Sequence, residues 1–292
     1  MTRGARFVLA AAVLFGTTGT AQALGAADAD PLTVGAVRLL IGAAGLIAVA
    51  ARRGRLRDAF GADRRWLVLG ILGVAGYQLT FFGGVRLAGV GVGTLLTIGS
   101  APVFTGIVAR VLTGERPVRA WYPATALAIG GLVLIADLGG SPDPIGVTLA
   151  LAAGATYAVF SVGSERVIQA STPVAAMAAV FSGGAVLLVP VLVFGDLGWL
   201  TGFDGVGAAL WLGIMATTAA YVFYGKGLAV TPVTTVATLV LAEPITALLL
   251  AAGVLDEPLT LTAVLGAGLV TVGLLVLSRR SSDGHPAVTP AP

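Results

Sequence analysis

Apolar runs of about twenty residues alternate with short polar segments along the whole 292-residue chain. A bilayer core of about 30 Å takes roughly 20 apolar residues per helix, and only helices or closed barrels satisfy the backbone there. Ten segments meet that length, at about 7–24, 32–51, 66–85, 88–112, 119–138, 145–163, 174–194, 205–225, 231–254 and 260–278. The runs are too long and too little alternating for barrel strands. The pattern therefore predicts an all-α integral membrane protein with ten transmembrane helices.

Composition agrees: 57% of residues are hydrophobic, 11% are charged and the mean hydropathy is +0.98, against roughly 25% charged in an ordinary soluble domain. The net charge of +3 does not signal nucleic acid, because the basic residues sit in short clusters between apolar segments, the pattern that sets membrane orientation. The absence of cysteine excludes disulfide frameworks, thiol catalysis and thiolate metal sites. No metal and no cofactor are predicted. The expected partners are the lipid bilayer and a small-molecule substrate, in a monomer or a homodimer. Sixteen arginines against the single Lys226, with abundant Ala and Gly, fit a GC-rich bacterium.

With the N-terminus cytoplasmic, 15 of the 17 basic residues fall on the inside: Arg3, Arg6, Arg52, Arg53, Arg55, Arg57, Arg64, Arg65, Arg110, Arg116, Arg119, Arg166, Lys226, Arg279 and Arg280. Outside loops hold Arg86 and the acids Asp28, Asp30, Asp143, Asp196, Asp204, Asp256 and Glu257. Both termini are thus predicted cytoplasmic. The first segment, with Arg3 and Arg6 before an apolar core and an A-x-A at Ala21-Gln22-Ala23, also imitates a cleavable signal peptide.

A shift of 142 residues pairs Pro31 with Pro173, Gly42 with Gly184, Gly83 with Gly225, Pro102 with Pro244, Glu115 with Glu257 and Gly131 with Gly273, without a gap. It also pairs LAAAVLFG of the first segment with LAAGATYA of the sixth, which argues for a retained span over a signal peptide. Residues 1–141 and 142–280 are read as two copies of five spans, with 281–292 a disordered tail. An odd number of spans turns the second copy upside down, a recurring plan of secondary transporters whose site lies where the halves meet near the midplane.

An arginine early in span two (PLTVGAVRLL), corners at TGERP and LDEP after a mid-span proline, a glycine-rich fifth span (AIGGLVLIADLGG) and an LxEP element in span nine together resemble the EamA family of the drug/metabolite transporter superfamily. The resemblance covers nearly the whole chain as two copies. It implies a ten-helix carrier of the bacterial cytoplasmic membrane, commonly an exporter of amino acids or other small metabolites, and not an enzyme. A multidrug or nucleotide/sugar-derivative carrier is the alternative within the fold; an intramembrane enzyme or a channel is the alternative outside it. The first copy departs by having GSAP where the second has LAEP, and the second has Val180 where the first has Arg38.

Glu243 and Arg38 thus stand deep in spans without charged repeat-mates. At about 1.5 Å per residue, Glu243 lies on the order of 16 Å from the outer end of its span and Arg38 about 10 Å from that of its own. Three readings follow: Glu243 as a proton site, Glu243 and Arg38 holding the amine and carboxylate of a zwitterion, or a structural ion pair. Pro102 and Pro244 remove backbone donors at matching places in two spans, a pointer to a transport site. Polar groups around them complete the candidate substrate site: Thr94, Thr97 and Ser100 in span four, Thr231, Thr234 and Thr238 in span nine, with Gln78, Tyr157 and Tyr221. The set expected to bind substrate is therefore Arg38, Gln78, Thr94, Ser100, Pro102, Tyr157, Tyr221, Glu243 and Pro244.

Glu115 and Glu257 end spans four and nine beside Pro117 and Pro258 and are expected to cap the following helix or pair with arginine. AGVGVGT at 88–94 lacks the strand and lysine of a phosphate loop and is read as a close-packing surface, with Gly89 and Gly93 a possible lipid-facing pair for a dimer. His285 lies in the Pro-rich tail and is no metal or catalytic candidate.

Overall fold

The computed structural model describes residues 1–52, 58, 61, 63–135 and 143–280. Among these, every regular element is a helix: α1 (Arg3–Gly16), α2 (Thr18–Gly25), α3 (Pro31–Arg52), α4 (Arg64–Ala88), α5 (Val90–Thr113), α6 (Trp121–Ile135), α7 (Pro144–Gln169), α8 (Pro173–Leu187), α9 (Val189–Phe194), α10 (Phe203–Leu210), α11 (Ala220–Leu228), α12 (Val233–Leu239), α13 (Glu243–Val254) and α14 (Leu261–Arg280). Arg53, Arg55, Arg57, the end of the predicted fifth span and the tail with His285 lie outside the described residues.

Among the described residues, seven helical stretches are long and apolar enough to cross a membrane: Arg3–Gly25, Pro31–Arg52, Arg64–Ala88, Val90–Thr113, Pro144–Gln169, Phe203–Leu228 and Val233–Val254. Trp121–Ile135, Pro173–Leu187 and Leu261–Leu277 are shorter apolar helices at the fifth, seventh and tenth predicted segments. The seventh is cut because Pro190 has no N–H to offer the preceding turn, so α8 ends and α9 restarts after Leu188.

Local chemistry sets the starts. Thr2 accepts from Ala5 N at 3.2 Å, Asp63 from Arg65 N at 2.9 Å and Asp143 from Ile145 N at 2.7 Å, each capping the helix that follows. Thr260, not Glu257, caps α14 by accepting from Ala263 N at 3.2 Å, and α6 begins at Trp121, four residues beyond Pro117. The expected capping role of Glu257 is thus taken by a hydroxyl placed nearer the helix. Gly89 forms the single-residue corner between α4 and α5 with φ +84°, a backbone region that glycine enters without strain. Gly93 is buried, its Cβ position 2.8 Å from Val85 Cα. Gly89 is exposed and Gly93 is not, so the two do not form a lipid-facing pair.

Small residues bring backbones together, as apolar burial alone does not drive helices together in lipid. α4 lies along α7, where a Cβ on Gly84 would fall 2.8 Å from Ala150 N and one on Gly163 2.7 Å from Gly70 N. α6 lies along α14 through Gly131 and Gly273, α3 meets α8, and α1 meets α11. Large apolar side chains such as Leu72, Ile107, Val111, Leu265 and Val272 remain exposed around the outside, where acyl chains rather than water would be their solvent.

Two of the long stretches change pitch internally. Residues Trp211–Ala219 widen to a π-helix, with Thr217 and Thr218 hydroxyls donating to Leu212 O at 2.7 Å and Gly213 O at 3.0 Å, five residues back. Val240–Ala242 tighten to a 3-10 turn immediately before Glu243. Pro102, by contrast, sits inside one continuous helix. The matching interruptions expected at the two prolines occur in one half only.

Candidate substrate site

The two irregular stretches converge on one region. The Thr218 hydroxyl also reaches Gly42 O at 3.2 Å, fastening the π-helical stretch to α3 one turn beyond Arg38. On the other side Gly16 lets α1 approach α13: a Cβ there would stand 2.7 Å from Glu243 O and 2.6 Å from Thr246 Cβ. Arg38 and Glu243 are thereby delivered to the same neighbourhood by α3 and α13, and each lies within electrostatic reach of the other.

They do not form a contact pair. Among the described residues no ion pair within 4.0 Å joins them, and the Arg38 Nε is buried without a hydrogen-bond partner. Arg38 is 8% exposed. A buried guanidinium that lacks a bound carboxylate is costly by several kcal/mol, so the arrangement is one in which an incoming anion would be strongly favoured.

Tyr77 and Tyr221 lie in the field of both charges. Around them an aromatic wall runs from Phe15 (4.9 Å from the Tyr221 ring) through Phe181 (4.2 Å from Tyr221) and Phe160 to Tyr157. Such rings attract a cation over their faces and exclude water from the charges. Behind the wall, Tyr157 OH donates to Tyr224 OH at 3.2 Å, Tyr224 OH to Ser161 Oγ at 2.9 Å, and Ser161 Oγ to Tyr157 O at 2.8 Å.

Of the residues expected from sequence, Arg38, Glu243, Tyr221 and Tyr157 are therefore drawn together, with Pro244 buried beside Glu243 at the start of α13. Gln78 is adjacent but its amide is committed, donating to Gly35 O at 2.8 Å; it secures the turn of α3 that precedes Arg38. Ser100 donates to Thr97 O at 3.3 Å and faces Gly154 of α7, while Thr97 donates to Ala150 O at 3.0 Å. These two hydroxyls tie α5 to itself and to α7. Thr94 is half-buried and Pro102 buried on the same helix, and among the described residues no hydrogen bond links either to Arg38 or Glu243. In span nine, Thr238 meets Thr125 at 2.9 Å and Thr234 O accepts from Trp121 Nε1 at 3.1 Å, fastening α12 to α6.

Tyr77, Tyr224 and Ser161 were not among the expected residues. Helical spacing carried the signal for two of them: Tyr224 follows Tyr221 by three positions and Ser161 follows Tyr157 by four, so each lies on the same face as a named residue. Tyr77 adjoins Gln78 in sequence, where helical spacing gives no shared face.

The two ends of the bundle differ. At the aspartate-bearing end a cavity of about 930 Å³ is lined by Asp28, Asp30, Arg86, Asp196, Trp199 and Asp204, with Arg86 4.0 Å from Asp30. At the arginine-bearing end the helices close on one another. A Cβ on Gly4 would collide with Thr231, and one on Gly225 would stand 3.1 Å from Met177 and 3.2 Å from Pro173 O. Among the described residues no three His, Cys, Asp or Glu side chains gather to hold a metal ion.

Comparison with known proteins converges on one family. The profile of the EamA-like transporter family matches the chain twice, over residues 2–136 and 144–279. An uncharacterized transporter, YwfM, of Bacillus subtilis (strain 168) is 40% identical over 277 residues, spanning 93% of this chain and 92% of the relative. A protein of Streptantibioticus cattleyicolor named "Probable terminal-alkyne amino-acid exporter" is 29% identical over 253 residues, spanning 86% of this chain and 82% of that one. One solved crystal structure superposes with a TM-score of 0.81 at 23% identity, covering 96% of this chain and 99% of the other, a likeness of fold.

Proposed function

The chain belongs to the EamA-like transporter family, and from that premise we propose that it is a ten-span carrier of two inverted five-helix repeats that exports amino acids or related zwitterions from a bacterial cell. Arg38 takes the substrate carboxylate in a bidentate grip, Glu243 takes the ammonium, and Tyr77 and Tyr221 enclose the charges. The observation that carries this reading is the arrangement of Arg38 and Glu243: opposite charges in one neighbourhood, without a contact pair, with a buried guanidinium nitrogen unsatisfied. A structural ion pair would close the gap; a zwitterion fills it.

Supporting the transport mechanism, the cavity stands at one end of the bundle while the other end is packed. Two similar halves of opposite orientation offer two such conformations of comparable energy, related by rocking around a fixed site. The Asp-bearing end is the outer face in this reading and both termini are cytoplasmic. The relative named as an amino-acid exporter fits the substrate class.

Counter-flow in proteoliposomes tests it: unlabelled amino acids are loaded inside, trace labelled ones are added outside, and accumulation is followed. The wild type is expected to accumulate label, and Glu243→Gln and Arg38→Gln are each expected to reduce accumulation by about tenfold or more, since a lost charge-assisted contact is worth about 1.5–3 kcal/mol. Failure of any amino acid to exchange would overturn the assigned substrate class.

A further inference from the structure

A second buried carboxylate lies well away from Arg38 along α7. Glu165 is 6% exposed, at the arginine-bearing end where the helices are packed shut. Its carboxylate faces Val233 N at the start of α12, yet Oε2 is buried without a partner. The charged and titratable groups facing it are Glu115, after the end of α5, Arg166 on its own helix and Tyr224 on α11. Arg166 is turned outward, its guanidinium 5.7 Å over the Trp66 ring and donating to Gln169 Oε1 at 3.4 Å. A carboxylate held there as an anion has one N–H, an acid for a neighbour and an unsatisfied oxygen, a combination that costs several kcal/mol.

Helical geometry places Glu165 one turn beyond Ser161, and Tyr224 lies in its field. The hydroxyls of Tyr157, Tyr224 and Ser161 are joined at 3.2 and 2.9 Å, and the Tyr157 ring lies 5.9 Å from that of Tyr77 beside Arg38 and Glu243. A line of three hydroxyls thus runs from Tyr157, whose ring packs against Tyr77 of the central site, toward the closed end, and its last member stands one helical turn from a carboxyl group.

We propose that Glu165 is a proton-exchange site for transport, loaded through the Tyr157–Tyr224–Ser161 chain and emptied when the arginine-bearing end opens. The proposal rests on the carrier reading above. With that end closed, a hydronium ion admitted from the open end gives a proton to Tyr157 as Tyr157 passes its own to Tyr224 and Tyr224 passes its own to Ser161. Ser161 turns from Tyr157 O and gives its proton to Glu165, and the carboxylate becomes a neutral acid. Opening separates α7 from α12 and hydrates the carboxyl. Its proton leaves to water and the carboxylate remains, so one proton has moved from the open end to the cytoplasmic side, and the three hydroxyls, each protonated as before, rotate back to their starting orientation.

Glu165→Gln is the discriminating variant, because the amide keeps an acceptor for Val233 N but cannot exchange a proton. In proteoliposomes it is expected to lose accumulation driven by a pH gradient by about tenfold or more while counter-flow at equal pH stays within about twofold; Tyr224→Phe is expected to reproduce the gradient-driven loss. A readout independent of substrate accompanies it: infrared difference spectra between acid and alkaline buffer, in which the protonated-carboxyl signal of the wild type should lose one component in Glu165→Gln and keep that component in Glu115→Gln and Glu243→Gln. Unchanged gradient-driven accumulation, or an unchanged band, in Glu165→Gln would overturn the proposal. If no amino acid exchanges at all, the substrate reading fails while the infrared comparison still decides whether Glu165 takes up a proton.

Discussion

Gly131 and Gly273, 142 positions apart, pack reciprocally across the contact of α6 and α14. A Cβ on Gly131 would press against Gly266 O and fall 2.7 Å from Val270 N; one on Gly273 would fall 2.7 Å from Ala124 O and 3.1 Å from Ala128 N. Ala124 and Gly266 are themselves 142 apart, as are Ala128 and Val270, so the shift that aligns the two halves exchanges the two sides of this contact. Gly146 against Ala88 and Gly4 against Val230 form another such set. Contacts of this kind are what a pseudo-twofold between inverted halves would produce.

These contacts predict a matched pair of stability changes. Alanine normally stabilises a helix relative to glycine by up to about 1 kcal/mol, but here the new methyl meets backbone that cannot yield, and overpacking costs about 1–3 kcal/mol. Gly131→Ala and Gly273→Ala are expected to lower the thermal midpoint in detergent by similar amounts. Gly130→Ala, whose methyl meets nothing within 4 Å, should leave it level or raise it. Equal behaviour of all three would remove the close-contact account.

Arg38 should trade stability for function. Arg38→Met replaces an incompletely satisfied buried charge with an apolar chain, removing its desolvation cost without breaking a contact pair. The expected outcome is a raised or unchanged melting midpoint together with loss of counter-flow. A marked drop in midpoint would show that Arg38 holds the bundle together, contrary to its assignment to substrate.

Gln78 carries the opposite expectation. Its amide serves Gly35 O, so Gln78→Leu should destabilise by about 1 kcal/mol, the net worth of one neutral hydrogen bond. Exchange should fall modestly, through loosening of the α3 turn that carries Arg38, and saturating substrate should restore most of it. Loss of the maximal rate as severe as for Glu243→Gln would return Gln78 to direct contact with the reacting charges.

Hydropathy revealed the helices because it depends on composition averaged over twenty residues, which tertiary contacts do not alter. It also singled out Arg38 and Glu243, since charges deep in apolar runs are conspicuous. What it missed is chemistry that emerges only on packing. The π-helical stretch at Trp211–Ala219 depends on Thr218 reaching Gly42 O across helices, and no local pattern in WLGIMATTA announces that. Glu165 escaped notice because the predicted sixth span stopped at 163, where SER begins to read as loop; in the fold α7 continues to Gln169 and carries the acid inside. Pro102 and Pro244 look alike in sequence, yet only the second follows a change of pitch.

The absence of cysteine makes the orientation and the direction of opening directly measurable. Single cysteines at Ala27 in the cavity, at Ala170 beyond the end of α7 and at Thr231 in the packed end would be exposed in intact cells to a membrane-impermeant maleimide. If the arginine-rich segments are cytoplasmic, Ala27→Cys should label from outside and Ala170→Cys only after the membrane is opened. Thr231 is 5% exposed, so Thr231→Cys should resist labelling even then while the bundle holds this conformation, and become reactive when a saturating substrate drives the halves through their cycle. The inverse pattern, with Ala170→Cys labelled in intact cells, would turn the topology over and make the aspartate-lined cavity a cytoplasmic one. Thr231→Cys reactive at the same rate with and without substrate would leave the packed end without the opening that alternating access requires.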